Sequence, residues 1–99
     1  MWLICINNGQ NIILKQGSTS LGRKGDIAVP YKTLSRIHAY FEVNDQTLIV
    51  KDNKSKFSSL LNGEVFTCCE PKNGDILKLG HETFVRIIER HYQIGRAHV

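Results

Sequence analysis

Proline is scarce here, and so are the compositional biases that would place a chain outside ordinary globular proteins. Two prolines and eight glycines in 99 residues leave no room for a collagen-like or proline-rich repeat. No apolar run approaches the ~20 residues of a membrane-spanning helix. The opening Trp2-Leu3-Ile4-Cys5-Ile6 is far shorter, and it lacks the basic flank and small-residue cleavage site of a secretory signal. Cysteine is too sparse for a disulfide scaffold: Cys5, Cys68 and Cys69 cannot all pair, and two of them are adjacent, which points to a reducing intracellular compartment. There is no CxxC spacing either. Cys68, Cys69 and His81 would span a tetrahedral site poorly, so neither a metal nor another cofactor is expected. Length is the last shortage, because 99 residues and 11.2 kDa supply one hydrophobic core and exclude a large enzyme.

What is present looks like a folded β domain. Hydrophobic residues at 41% and charged residues at 22% match ordinary globular usage. Short β-branched runs follow one another between polar turns: Trp2–Ile6, Ile12–Leu14, Arg36–Val43 with Ile37, Ala39, Phe41 and Val43 on one side, Thr47–Lys51, Leu60-Leu61, Val65-Phe66, Ile76–Leu79 and Thr83–Glu89. Asn44-Asp45 and Asn62-Gly63 are hairpin-type links, since Asn, Asp and Gly tolerate positive φ at little cost. Helical phasing is hard to find. Strands at this spacing predict an all-β sandwich or barrel of short, mainly antiparallel strands.

Charge is uneven. Thirteen Lys and Arg against nine Asp and Glu give a net +4 and favour anionic partners. The surplus gathers in two stretches: Arg23, Lys24, Lys32 and Arg36 in the first, Lys54 and Lys56 in the second, with only Asp26 and Asp52 opposing them. Loops at one end of a β-sandwich can converge on a ligand while the sheets hold them still. This is an anion site in outline.

Three elements then carry a family resemblance: Gly22-Arg23 at the end of an early strand, Ser35-Arg36-Ile37-His38-Ala39 opening a central one, and Asp52 to Gly63 with Ser55 and Asn62-Gly63. With the later Asn73-Gly74-Asp75-Ile76-Leu77-Lys78-Leu79-Gly80, their order and spacing resemble the forkhead-associated (FHA) domain, over nearly the whole chain up to about Arg90. The resemblance implies an FHA-type β-sandwich with its ligand site in loops at one apex, and binding of phosphothreonine peptides rather than catalysis. Within the family, Met1-Trp2, Lys51-Asp52-Asn53 and Ser55-Lys56-Phe57 are similar to nibrin-like members. That likeness implies a nuclear subunit of the DNA double-strand-break repair complex. It also implies a BRCT-type region and segments for other repair-complex subunits beyond this stretch, and partners with acidic residues near the phosphosite.

A phosphothreonine brings about −1.5 to −2 charge and three acceptor oxygens, so its receptor needs directed donors on a rigid frame. The resemblance assigns the principal phosphate contact to Arg23, with Gly22 allowing a sharp turn before it, and a hydroxyl and backbone N–H contact to Ser35. Arg36 is expected to face the peptide main chain or a further acidic group. Lys56 stands where the family offers a side chain to the phosphate, as a point charge rather than a fork. His38 is expected to brace the phosphate loop, and Asn62 to tie its loop to a neighbour. One departure stands out: Phe57-Ser58-Ser59 replaces the family's Asn-Gly-Thr run, so an aromatic sits where the backbone clamp usually does, and Ser58 bears a strain of about 1 kcal/mol if its φ is positive.

Other classes fit less well. Asp26, Ser35 and His38 resemble a hydrolase triad only as three common residues without a nucleophile elbow. Direct nucleic-acid binding would need exposed aromatics amid the positive charge, whereas Trp2, Tyr40, Phe41, Phe66 and Phe84 mostly lie in core-like strand patterns. A degenerate FHA scaffold that docks a protein without phosphate is the remaining alternative. The domain is expected to span residues 1–92. The last seven residues, Gln93 to Val99, fit neither the family nor the strand pattern and correspond to CAG ATC GGA AGA GCA CAC GTC, a string resembling a sequencing adapter, so they are expected to be non-native.

Overall fold

Alternation of buried and open positions explains most of the strands. In β1 (Trp2–Ile6) the side chains of Trp2, Ile4 and Ile6 point inward, while Leu3 and Cys5 lie half-open on the other face, the period of two that a pleated strand imposes. The same rule organises β5 (Ala39–Asn44) and β6 (Thr47–Asp52), with Ala39, Phe41, Val43, Leu48 and Val50 inside. The remaining strands are β2 (Asn11–Leu14), β3 (Gly17–Gly22), β4 (Ile27–Ala28), β7 (Ser59–Leu61), β8 (Glu64–Val65), β9 (Cys68–Cys69), β10 (Ile76–Leu79) and β11 (Thr83–Glu89). This computed structural model describes residues 1–91. The segment 93–99, expected above to be non-native, lies outside the described residues, as does Tyr92.

The strands form two sheets. One has the order β2-β1-β11-β10-β7-β8, the other β4-β3-β5-β6-β9. All pairings are antiparallel except that of β3 with β4, where Leu21 lies beside Ile27. Between the sheets lies a core that includes Trp2, Ile4, Phe41, Leu48, Leu77, Leu79, Val85 and Ile87. Burying each such side chain contributes about 1.5–3 kcal/mol. The expected all-β sandwich is therefore the observed architecture, and no helix among the described residues is long and apolar enough to cross a membrane.

Both hairpin links form. Asn62 and Gly63 have φ of 48° and 93° and join the paired strands β7 and β8, as a tight turn with left-handed central residues requires. In the other hairpin Asn44 pairs with Thr47, so the loop residues are Asp45 and Gln46, one position later than expected, with Asp45 at φ 58°.

Other boundaries differ from the expectation. The central strand begins at Ala39 rather than Arg36, and Ile37 is half-buried instead of sharing the core face. His38 takes the buried position next to Ala39, which breaks the alternation. Two-residue β4 and β9 carry no periodic signal, and the Gly-Ser-Thr-Ser stretch of β3 lacks apolar alternation. Pairing with β5, from Gly17 opposite Val43 to Leu21 opposite Ala39, holds β3 in the sheet. Phe84 is 43% exposed, because on β11 it alternates outward between Thr83 and Val85.

Candidate functional site

The end of β3 is fixed by a close approach of two backbones. A Cβ on Gly22 would overlap the carbonyl of Arg36 and lie 2.7 Å from that of Ser35, so only glycine fits. The strand end turns sharply as expected, with Gly25 N–H donating to the Gly22 carbonyl at 3.4 Å, but the φ of Gly22 is not in the left-handed region and glycine is required there by the close approach. The proximity lets Arg23 N–H donate to the Ser35 carbonyl at 3.2 Å and Lys24 N–H to the Arg36 carbonyl at 2.9 Å. Strand β3 and the 30–38 connection thus form one rigid edge.

Arg23 is exposed, and its Nε donates to the Leu34 carbonyl at 2.7 Å. This single tether aims the guanidinium, and the Nη groups make no other hydrogen bond or ion pair among the described residues. Across from it, Lys56 N–H donates to Ser35 Oγ at 3.1 Å, which leaves the serine hydroxyl proton to donate outward. Arg23, Lys32, Thr33, Leu34, Ser35, Lys56 and Phe57 together line a concavity of about 170 Å³. Arg36 is exposed beside it and does not line it.

His38 is fully buried and holds two loops together. Its Nδ1 accepts from Ser35 N–H at 3.1 Å, and its other ring nitrogen lies 2.8 Å from the Ser58 carbonyl. A backbone N–H can only donate and a carbonyl can only accept, so the ring is neutral with its proton on Nε2. Burial lowers its pKa below the usual 6.5, against opposing pulls from the Ser58 carbonyl and Asp52. The 3.9 Å approach of Asp52 Oδ1 to Nε2 is accordingly a contact with a neutral ring, not an ion pair. One consequence corrects the sequence reading: the Ser35 N–H is committed to His38, so Ser35 offers a ligand its hydroxyl and not its backbone donor.

The 53–58 loop is anchored from both sides. Asp52 accepts from Ser55 Oγ, from Ser55 N–H at 3.0 Å and from Ser59 Oγ at 2.6 Å. Burial works against its charge, yet the Ser55 and Ser59 hydrogen bonds prevail and hold the carboxyl below its usual range. Asn53 adds two links, its N–H to the His38 carbonyl at 2.9 Å and its side-chain amide to the Ile37 carbonyl at 3.1 Å. Ser58 has φ 64°, so the strained turn foreseen for a non-glycine there is real. Phe57 packs against the His81 ring with centroids 4.6 Å apart, and Lys56 Nζ sits 5.4 Å over its face. Beneath them Thr33 Oγ1 accepts from His81 N–H at 2.9 Å.

Electrostatically the apex is one-sided. Arg23, Lys24, Lys32, Arg36, Lys54 and Lys56 are all exposed, and none forms an ion pair among the described residues. The two nearby acids are spent within the protein. Asp26 accepts from Ser20 N–H at 3.0 Å while its own N–H bonds Ser20 Oγ at 2.8 Å, contacts that lower its pKa. That also dismantles the triad arrangement, since Asp26 is bound to Ser20 while His38 addresses Ser35 through backbone. Among the described residues no group of His, Cys, Asp and Glu could hold a metal.

Of the residues singled out from sequence, the structure brings Gly22, Arg23, Ser35, His38 and Lys56 together. Asn62 lies elsewhere: its amide donates to Asp75 Oδ1 at 3.1 Å and its Oδ1 accepts from Ile76 N–H at 3.0 Å. It pins the β7–β8 turn to the start of β10, a strand's length from Ser59, and does not touch the 53–58 loop. Missed were Lys32, Thr33, Leu34 and His81. Lys32 was visible as one of the basic cluster, whereas Leu34 and His81 act through backbone or packing and Thr33 through a hydroxyl that accepts from a backbone N–H, none of which leaves a composition signal.

A two-sheet sandwich that presents unpaired cations in a shallow pocket of interlocked loops is a loop-based recognition module. A model of the FHA domain matches residues 17–80, and the chain belongs to the FHA domain family. Members of this family are interaction modules associated with phosphothreonine-dependent binding. Solved structures agree on the fold. An FHA domain solved in work on phosphothreonine-dependent FHA interactions superposes with a TM-score of 0.87 at 20% identity, covering 92% of this chain and 98% of that one. The FhaA FHA domain complexed with the intracellular domain of Rv3910 gives 0.82 at 21% identity, covering 88% and 99%. The S. pombe Nbs1 structure, solved as the Nbs1-Ctp1 complex, gives 0.77 at 24% identity and covers 91% of this chain but 36% of that one. No curated protein gives a significant sequence match.

Proposed function

We propose that this domain binds phosphothreonine peptides at the apex, and that it is the N-terminal part of a nibrin-like nuclear subunit recruiting the double-strand-break repair complex to phosphorylated partners. The observation that carries the reading is the convergence of Arg23, Ser35 and Lys56 on one pocket whose cations form no ion pair among the described residues. In this account Arg23 gives the phosphate its free Nη donors, Ser35 its hydroxyl, and Lys56 a mobile point charge. Gly22 and His38 fix the loops. Lys32 on the pocket wall and Arg36 beside it meet acidic residues flanking the phosphosite. The finer nibrin-like assignment draws on Met1-Trp2, Lys51-Asp52-Asn53 and Ser55-Lys56-Phe57, and the sandwich shared with S. pombe Nbs1 is compatible with it.

A nucleic-acid reading is disfavoured because Trp2 and Phe41 are buried, the exposed Phe84 does not line the pocket, and Phe57, which does, is half-buried against His81 and is not part of a row of open rings on which successive bases could stack. A phosphothreonine peptide array probed with the parent and with Arg23→Ala tests the proposal. Loss of one charge-assisted contact of about 1.5–3 kcal/mol should weaken binding by about ten- to hundredfold. Equal binding by Arg23→Ala contradicts the assignment.

A further inference from the structure

The outer face of the six-stranded sheet is built differently from that of its partner. On the outward face of the β4-β3-β5-β6-β9 sheet, Tyr40 and Ile49 are interleaved with Glu42 and Lys51, and Lys51 pairs with Glu42 at 3.1 Å. On the β1, β11 and β10 strands the register puts large apolar side chains side by side. Leu3 stands between Ile13 and Ile88, Cys5 pairs with Arg86, and Arg86 with Ile76. Phe84 lies opposite Lys78 in the next row. Ile13 is 63% exposed, Phe84 43% and Ile76 39%. Cys5, Ile6, Asn7, Ile76, Phe84 and Arg86 enclose a mostly apolar groove of about 270 Å³. Soluble domains rarely leave a contiguous apolar patch open without a use for it.

The charges on this face choose among occupants. Arg86 and Lys78 are diagonal neighbours across β10 and β11, Lys78 Nζ rests 5.8 Å from the Phe84 ring centroid, and neither cation forms an ion pair among the described residues. The outward positions of β1, β10 and β11 hold no acidic residue. A second copy of the same face would bring four cations together with nothing between them, and like charges held close are unfavourable. A wholly apolar partner would bury Arg86 and Lys78 without a counter-charge, which is costly. We propose that this face docks a protein segment in which Asp or Glu alternates with large apolar residues, the carboxylates meeting Arg86 and Lys78 and the apolar groups covering Phe84 and Ile76. None of these residues lines the apical pocket, so docking requires no phosphate.

The experiment is selection of a phage-displayed random peptide library on the Arg23→Ala protein, whose apical site is disabled. Enriched sequences should combine Asp or Glu with large apolar residues. A synthetic copy should bind the parent and Arg23→Ala alike and shift the amide resonances of Leu3, Cys5, Ile76 and Phe84. Arg86→Glu should weaken it by at least about tenfold, as reversal of a contacting charge does, and Lys78→Glu provides a second surface variant. The proposal is overturned if nothing is enriched, if enriched peptides lack acidic residues, or if both charge reversals leave binding unchanged. It is equally overturned if sedimentation shows a concentration-dependent dimer that Phe84→Asp abolishes, which would make a second copy the occupant.

Discussion

Arg23 owes its usefulness to having only one internal tether among the described residues. Because Nε is held by the Leu34 carbonyl and the Nη groups are free, the guanidinium is oriented before any ligand arrives, and less ordering entropy is lost on binding. Arg23→Lys should therefore recover little of the affinity lost in Arg23→Ala, since an ammonium has no fork to aim; isothermal titration of the three proteins with one phosphothreonine peptide measures this. Ser58 makes a separate prediction. At φ 64° its Cβ is strained, and its useful group, the carbonyl that accepts from His38 and from Gly80 N–H at 3.1 Å, is retained by glycine. Ser58→Gly should raise stability by about 0.5–1 kcal/mol in urea denaturation, relief of strain exceeding the entropy that glycine adds to the unfolded chain. The cations and serine of this site were legible in the sequence because charge and hydroxyl chemistry are properties of residue type. The commitment of the Ser35 N–H to His38 was not, since it depends on which ring nitrogen faces the backbone.

At the scale of elements, the apex is braced where the end of β3 meets the 35–36 backbone with no room for a Cβ. Gly22 is the tightest point. Gly22→Ala should force β3 away from the 35–36 carbonyls, cost about 1–3 kcal/mol as overpacking does, and reduce phosphopeptide affinity more than its stability loss alone would suggest. Thermal unfolding and a binding titration on the same variant separate the two effects. Strands with alternating apolar residues, β1, β5, β6, β10 and β11, were legible along with the Asn62-Gly63 turn. Strands β3, β4 and β9 were not: serine-rich or two residues long, they form only because a neighbour supplies the pairing. His38 hid the true start of β5 for a related reason, since a buried polar residue fits neither face of a simple alternation.

For the molecule as a whole, pH and salt act through different groups. His38 is neutral when folded and has its pKa lowered from 6.5, so below pH 6.5 the unfolded chain binds the extra proton first. Its contribution to stability is complete above pH 6.5 and declines as pH falls through that value toward the lower folded pKa. Asp52, Asp26 and Asp75 also have lowered pKa values and contribute above 3.8, with loss at more acidic pH. Urea midpoints from pH 8 to 3 should thus fall in two stages, one below 6.5 and one below 3.8; a flat profile between 6.5 and 4 would contradict the buried neutral imidazole. Salt acts on the apex, where six cations without an ion pair among the described residues form an exposed field that ions screen over about 8–10 Å, so phosphopeptide affinity should drop between about 50 and 500 mM NaCl while stability changes little. The central claim, that these loops read a phosphorylated threonine, is tested most directly by titrating the domain with a phosphothreonine peptide, its unphosphorylated twin and single-stranded DNA under one buffer condition. The geometry predicts measurable binding of the phosphopeptide alone, lost with Arg23→Ala. Equal binding of both peptides, or preferential binding of the DNA, would contradict it.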